Sequence, residues 1–123
     1  MTELKRHTTP PATTLEGVKR IREMLTPEGT WTQGCYFRTT PNGPKRGVEE
    51  GCRAISCACL SGAAILCVYE SGLQAAWRKA FDVHSGNAVV TFNDTPGRTH
   101  AEVLAKLDTL IAIVASSPER FEQ

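Results

Sequence analysis

Residues 51–68 read GCRAISCACLSGAAILCV, and the fifteen positions from Ala54 to Val68 pass without a charge. A span of that length is long for a buried strand and natural for a buried helix. It falls short of the roughly 18 to 20 apolar residues that cross a bilayer. Arg53 and Glu70 bracket it, as expected where a buried helix meets water. The reading is a central apolar helix over 51–68, wrapped by the other elements because no side of it is polar. Ala54, Ala58 and Gly62 recur every four residues, so on a helix they share one face of small side chains. That face admits another helix or a loop at close range, or the same face of a second copy. Ile55, Cys59 and Leu66 fall on a bulkier side of the same helix.

Length and composition frame this helix. The chain has 123 residues, the size of one domain, and closes a core without disulfides or metal. Its 41% hydrophobic and 22% charged residues are ordinary for a globular protein. A net charge of +1 argues against nucleic acid as the partner, since such domains are clearly basic. Five cysteines, Cys35, Cys52, Cys57, Cys59 and Cys67, are an odd set concentrated in one apolar run. They read as small hydrophobes and not as a disulfide framework. On a helix Cys57 and Cys59 point to different sides and cannot bridge. The N-terminal MTELKRHTTPPATT has no apolar core for a secretion signal. A reducing cytoplasm and no membrane contact are therefore expected.

Along the chain, residues 1–12 read as a loose arm, 13–115 as a single helical domain and 116–123 as a fraying end. Thr13, Thr14 and Glu16 start a helix whose inner face is Leu15, Val18, Ile21 and Leu25; Thr26-Pro27-Glu28-Gly29 stops it. Residues 30–39, TWTQGCYFRT, favour a short strand or hairpin. Residues 40–47, TPNGPKRG, form a loop from which Pro41, Asn42, Gly43 and Pro44 exclude regular structure. A third helix spans about 73–81, with Leu73, Ala76, Trp77 and Ala80 or Phe81 inward and Arg78 and Lys79 outward; 82–86 connect. Residues 87–93, NAVVTFN, suit either a strand or a helical turn, and 94–97 make a tight turn. Thr99 and Glu102 then open the last helix as a capping box, followed by an apolar stripe at Val103, Leu104, Leu107, Leu110, Ile111 and Val114. The fold class is mainly α: a compact bundle of about four helices around the central one, with a short hairpin near 30–39. Core positions include Trp31, Cys59, Leu60, Gly62, Ala63, Trp77 and Leu107.

Three groups of residues could carry chemistry. Asn93, Asp94, Arg98, Thr99 and His100 surround a helix start, where free N–H groups and the dipole favour an anion. The same residues serve as turn and cap, with Asn93 and Asp94 bonding nearby backbone and Arg98 pairing with Asp94. Tyr36 and Arg38, together with Lys45 and Arg46 on the 40–47 loop, offer an exposed recognition element for a protein partner; the loop reads equally as a solvated connector. Aromatic and basic residues also bind single strands by stacking, which the charge balance disfavours. The cysteines with His84 and His100 supply thiols and imidazoles, but no C-x-x-C pair or zinc spacing is present. Cys35 and Cys52 lie outside the most apolar run and are the candidates for a reactive thiol. No glycine-rich phosphate loop, paired-carboxylate motif or nucleophile elbow is present, so no cofactor is expected.

Gly29-Thr30-Trp31, Cys59-Leu60-Ser61-Gly62-Ala63, Phe92-Asn93-Asp94-Thr95-Pro96-Gly97-Arg98-Thr99 and Glu102-Val103-Leu104 resemble the signature of a small uncharacterised family. That family occurs in bacteria, notably actinobacteria, and in their phages. The resemblance covers about residues 13–115. It implies a helical domain of bacterial or phage origin and brings no activity, substrate or cofactor with it. The 40–47 loop and the additional cysteines depart from its pattern. An apolar scaffold without a convergent catalytic set leads to the expectation of a non-enzymatic protein–protein interaction module. In a phage it would inhibit a host protein, including a defence component, in the host cytoplasm. The alternatives are a small enzyme or anion-binding domain using the 93–100 turn with a reactive cysteine, and a homo-oligomer built on the Ala54/Ala58/Gly62 face.

Overall fold

The first helix, α1 (Thr14–Met24), begins where the sequence places it. Thr13 is extended, and its hydroxyl accepts the Glu16 N–H at 3.1 Å, satisfying one of the donors every helix start leaves free. The Glu16 carboxylate does not reach back to complete the box; it pairs with Arg20 one turn on. Val18, Ile21, Met24 and Leu25 form the buried stripe. Their main partner is α5 (His100–Ser116), whose Val103, Leu107, Leu110 and Val114 face them. Arg22 adds an exposed ion pair to Asp108 at 2.9 Å, worth at most about 1 kcal/mol. At the head of α5 the capping box is complete: Thr99 N–H donates to the Glu102 carboxylate at 2.8 Å, and Glu102 N–H to the Thr99 hydroxyl at 3.1 Å. The Thr99 N–H, then the Arg98 charge, hold the Glu102 carboxyl below its usual range.

The computed structural model describes residues 4, 9–38, 45–46, 55–69, 73–85 and 89–117. Most of the expected arm, residues 39–44 and 47–54 (with Ala54 and Cys52), Ser71-Gly72 and the end beyond 117 lie outside them. The chain is mainly α, as expected, with a small sheet. The described part of the central run, 55–68, is mostly buried, but it is not one helix. Residues 57–58 form a strand, β3 (Cys57–Ala58); the helix starts only at α2 (Leu60–Ala64) and widens into a π-helical turn at Ile65–Tyr69.

The cause is competition for backbone partners. Ser56 and Cys59 donate to the Arg38 and Tyr36 carbonyls at 3.0 and 3.1 Å. On the other side Ala58 donates to Thr30 at 2.8 Å and accepts from Thr32 at 3.1 Å. A strand held on both edges satisfies the donors and acceptors that a helix would have to satisfy internally. Where every side chain is apolar or small, periodicity cannot separate the two outcomes. Of the Ala54/Ala58/Gly62 stripe, Ala58 lies on a strand and Gly62 on a helix, so these two do not share a helical face. Ala58 and Gly62 are both buried within the chain, so they offer nothing to a second copy.

The expected hairpin is also rearranged. β1 (Phe37–Arg38) pairs antiparallel with β2 (Lys45–Arg46) on one edge and β3 on the other, giving the order β2-β1-β3. Phe37 opposes Arg46 and Ala58; Arg38 opposes Lys45 and Cys57. Trp31 makes a parallel bridge to Ala58. Lys45 and Arg46 thus sit on a strand and not on an irregular loop. Leu4, inside the expected arm, is buried and donates its N–H to Ile55 at 2.9 Å.

Helix α3 (Gln74–Ser85) runs one turn beyond the expected end and buries Ala76, Trp77, Ala80 and Phe81. In the 87–93 stretch the described residues 89–93 are helical, while 87–88 lie outside the described residues: α4 (Val89–Asp94) places Val89 and Asn93, one turn apart, on its buried face. Phe81 meets Phe92 edge-on at 5.4 Å. The buried Lys106 lays its ammonium over both rings, 4.8 and 5.3 Å from their centroids. Burial, then the Arg98 charge, lowers the Lys106 pKa.

The expected close approach at Gly62 is realised by a loop. A Cβ there would stand 2.4 Å from the Tyr36 carbonyl oxygen and 3.0 Å from a Phe37 ring carbon. Because the nearer obstacle is backbone, Gly62→Ala is expected to cost about 2 to 3 kcal/mol in urea unfolding. Gly97, at φ +82° with open space around it, should cost only about 1 kcal/mol when changed to Ala. The reverse ordering would contradict this packing.

Candidate functional site

Asn93 is the polar residue that joins the elements around the central run. It is 1% exposed, so each of its amide groups needs a partner. All are supplied. Its Oδ1 accepts the Trp31 indole N–H at 2.7 Å and the Leu60 N–H at 3.0 Å. Its Nδ2 donates to the Thr32 carbonyl at 3.1 Å and to Asp94 Oδ1 at 2.8 Å. Two acceptor sites and two donor hydrogens are the full capacity of the group.

The neighbouring bonds extend the same stitching. The Cys59 sulfur caps α2 by accepting the Gly62 N–H at 3.3 Å. Gln33 Nε2 donates to the carbonyls of Asn93 and Thr95 at 2.9 and 3.1 Å, satisfying the end of α4. Gly34, at φ +82°, donates its N–H to Asp94 Oδ1 at 3.0 Å. The 31–36 segment is thereby held against α4 and the start of α2.

Beside this network lies a cleft of about 200 Å³, lined by Gly34, Cys35, Tyr36, Cys59, Val90, Asn93 and Asp94. Tyr36 and Val90, 37% and 52% exposed, are the large hydrophobic side chains that stay exposed among the described residues. Both stand at this one cleft. The thiols differ in character. Burial pushes the Cys59 pKa up to about 11, with the Asp94 charge adding to it against the Gly62 and Ser61 N–H groups. Burial also raises Cys57, whose sulfur donates to the Gly29 carbonyl at 3.1 Å, against the pull of Arg38. Cys35 is half-buried at the cleft, with its sulfur 3.4 Å from the Phe37 carbonyl. Among the described residues the cysteines are free thiols.

The residues grouped by sequence part company here. Asn93 and Asp94 line the cleft with Tyr36; Arg98, Thr99 and His100 do not. Asn93 bonds distant segments and not the nearby backbone of its own turn. Arg98 does not pair with Asp94. Its Nε donates to the Phe92 carbonyl at 3.0 Å, and its guanidinium lies 3.9 Å over the Phe92 ring and 3.7 Å from Glu102. The His100 ring lies parallel to Trp31 and donates from Nε2 to the Leu25 carbonyl. Arg38 turns to the Thr32 hydroxyl at 2.7 Å and the Gln33 carbonyl. Trp77 and Leu107 are core; Trp31 is half-buried against it. Cys52 and the His84 side chain lie outside the described residues. Among the described residues, no cluster of three His, Cys, Asp or Glu side chains is placed to hold a metal ion. None of their helices is long and apolar enough to cross a membrane. Sequence reasoning missed Val90, which no pattern marks, and the Trp31–Asn93 bond. The latter carried one signal: a partly buried indole N–H needs an acceptor.

Fold and cleft together define a small, mainly helical domain with an internally saturated polar hub and an apolar-rimmed cleft beside it. Residues 7–113 match the model of a family of unknown function, DUF6197, and the chain belongs to that family. No curated protein and no solved structure matches it significantly.

Removing the Asn93 amide strands the Trp31 N–H, the Leu60 N–H and the Thr32 carbonyl, each costing about 1 to 3 kcal/mol when left unpaired. Asn93→Ala is expected to destabilise by about 4 kcal/mol and Trp31→Phe by about 1 to 2. The double variant should fall short of their sum, because both report one bond. Strict additivity in denaturant titrations would count against the hub.

Proposed function

We propose that this chain is a non-enzymatic interaction module that takes a partner protein at the cleft between the 34–36 turn and α4. One observation carries the reading: among the described residues the exposed large hydrophobics, Tyr36 and Val90, converge on one concave site. An aromatic side chain such as Tyr36 beside a pocket is a usual anchor of protein interfaces. At about 200 Å³ the cleft is smaller than the 300 Å³ or so at which pockets for drug-sized ligands begin. It suits one inserted side chain. The distribution of the family that the sequence resembles supports a bacterial or phage setting. There, a cytoplasmic module of this kind would act as an inhibitor of a host protein, including a defence component.

A second reading, a small enzyme or ligand-binding domain, has its own support in Cys35, which is half-buried at the same cleft beside Asp94. Against it, His100 is committed to Leu25 and Trp31, and the thiols of Cys57 and Cys59 are shifted away from reactivity.

The test places a photocrosslinking residue at position 90, and a control at the exposed Ala112 on α5. A stoichiometric protein adduct from position 90 and none from 112 is the expected result. Equal labelling from both positions, or no adduct together with one cysteine alkylated far faster than a free thiol, would favour the enzyme reading instead.

A further inference from the structure

The chemistry of the cleft selects its occupant. Asp94 stands at its edge as an exposed carboxylate whose Oδ1 accepts from two neutral donors, the Gly34 N–H and the Asn93 amide. Among the described residues it has no cationic partner. The nearest arginine in sequence, Arg98, is turned to Phe92 and Glu102. Oδ2 makes no hydrogen bond there either. A carboxylate held in place by two donors but without a cation among the described residues is preorganised for one arriving from outside, at little cost in side-chain freedom. Its field reaches the cleft floor, since it contributes to raising the Cys59 thiol.

Apart from Asn93, whose amide is already fully bonded, the remaining walls are largely apolar. Tyr36 and Val90 offer surface for the methylene stem of a long basic side chain, which buries its stem and keeps its charge at a polar edge. The Tyr36 ring favours guanidinium over ammonium, because the flat, weakly hydrated group stacks on aromatic faces. The volume, about 200 Å³, suits a single side chain.

We infer that the cleft anchors an arginine side chain of a protein partner, its stem against Tyr36 and Val90 and its guanidinium on the Asp94 carboxylate. This rests on the docking reading above and names the partner's chemistry. It also reverses the electrostatic sense expected at the 93–100 turn: this part of it presents a negative group.

The probe is N-acetyl-arginine amide, titrated into the full chain and followed by two-dimensional amide NMR. The control is the citrulline analogue, which keeps the shape and loses the charge. Saturable shifts are expected at Gly34, Cys35, Val90 and Asp94 with the arginine compound, and binding about fivefold or more weaker with citrulline. Asp94→Asn keeps an oxygen for the Gly34 N–H and the Asn93 amide, so the fold should persist; unchanged amide signals from the α5 core, such as Leu107, would verify that. In this variant the arginine compound should weaken to the citrulline level, with citrulline unaffected. Citrulline binding as tightly as arginine in the wild-type chain, or arginine binding unchanged in Asp94→Asn, would overturn the arginine assignment and leave the docking reading standing. An absence of shifts at those amides with either compound would also overturn it. The fate of the docking reading is then decided separately, by the crosslink at position 90.

Discussion

A helix that begins inside a protein core has N–H groups with no carbonyl behind them and no water to take them. Helix α2 begins in that position: Leu60 is fully buried and its N–H points out of the first turn. Here the Asn93 side chain is the acceptor, and its position is set by a residue 33 places further along the chain. The same amide oxygen takes the Trp31 indole, and the amide nitrogen takes the Thr32 carbonyl. One side chain thus fixes where α2 starts, how the 30–32 segment lies against β3, and how α4 is rotated. The Cys59 sulfur assists by taking the Gly62 N–H, a use of thiol as acceptor that needs burial and not reactivity.

The cleft is a by-product of this arrangement. Because Asn93, Gln33 and Asp94 tie the 31–36 segment to α4, the turn at Gly34 to Tyr36 stands off from α4 instead of collapsing onto it. Gly62 lets the Tyr36 carbonyl approach α2 closely, so the backbone there is fixed while the Tyr36 ring remains partly in solvent. The rim residues are held by a rigid frame yet left uncovered, which is the usual disposition of recognition surfaces. The two halves of the 93–100 turn then have different duties. Asp94 faces the cleft, while Arg98, Thr99 and His100 secure α5 and its contacts with α1 and Phe92.

Much of this was legible in the sequence where a local rule operates alone. Thr99 and Glu102 specify their helix start through three residues and two bonds, and the structure forms both. Val103, Leu107, Leu110 and Val114 sit at helical spacing with polar neighbours, and all four are buried. Gly62 announced a close approach, and one occurs. Legibility failed where long-range pairing outcompeted local preference. Residues 55–59 carry no charge and little period, so only the strand-like segments at 30–32 and 36–38 could show that they are extended. Asn93 read as a turn residue because asparagine commonly is one; apart from the adjacent Asp94, its partners lie some 30 to 60 positions away, beyond any window of local pattern. Val90 had no mark at all, since its exposure depends on how α4 is rotated, which Asn93 determines.

The central claim is that Asn93 is the acceptor for two buried donors and that the fold opens only when it lets them go. Hydrogen exchange on the intact chain, read at the Leu60 amide and the Trp31 indole N–H, addresses it most directly. The account expects both to exchange only through opening as costly as that of the α5 core amides, such as Leu107, and with the same denaturant dependence. Exchange of the two donors within minutes, while the Leu107 amide stays protected, would show that the hub is not what holds these elements together.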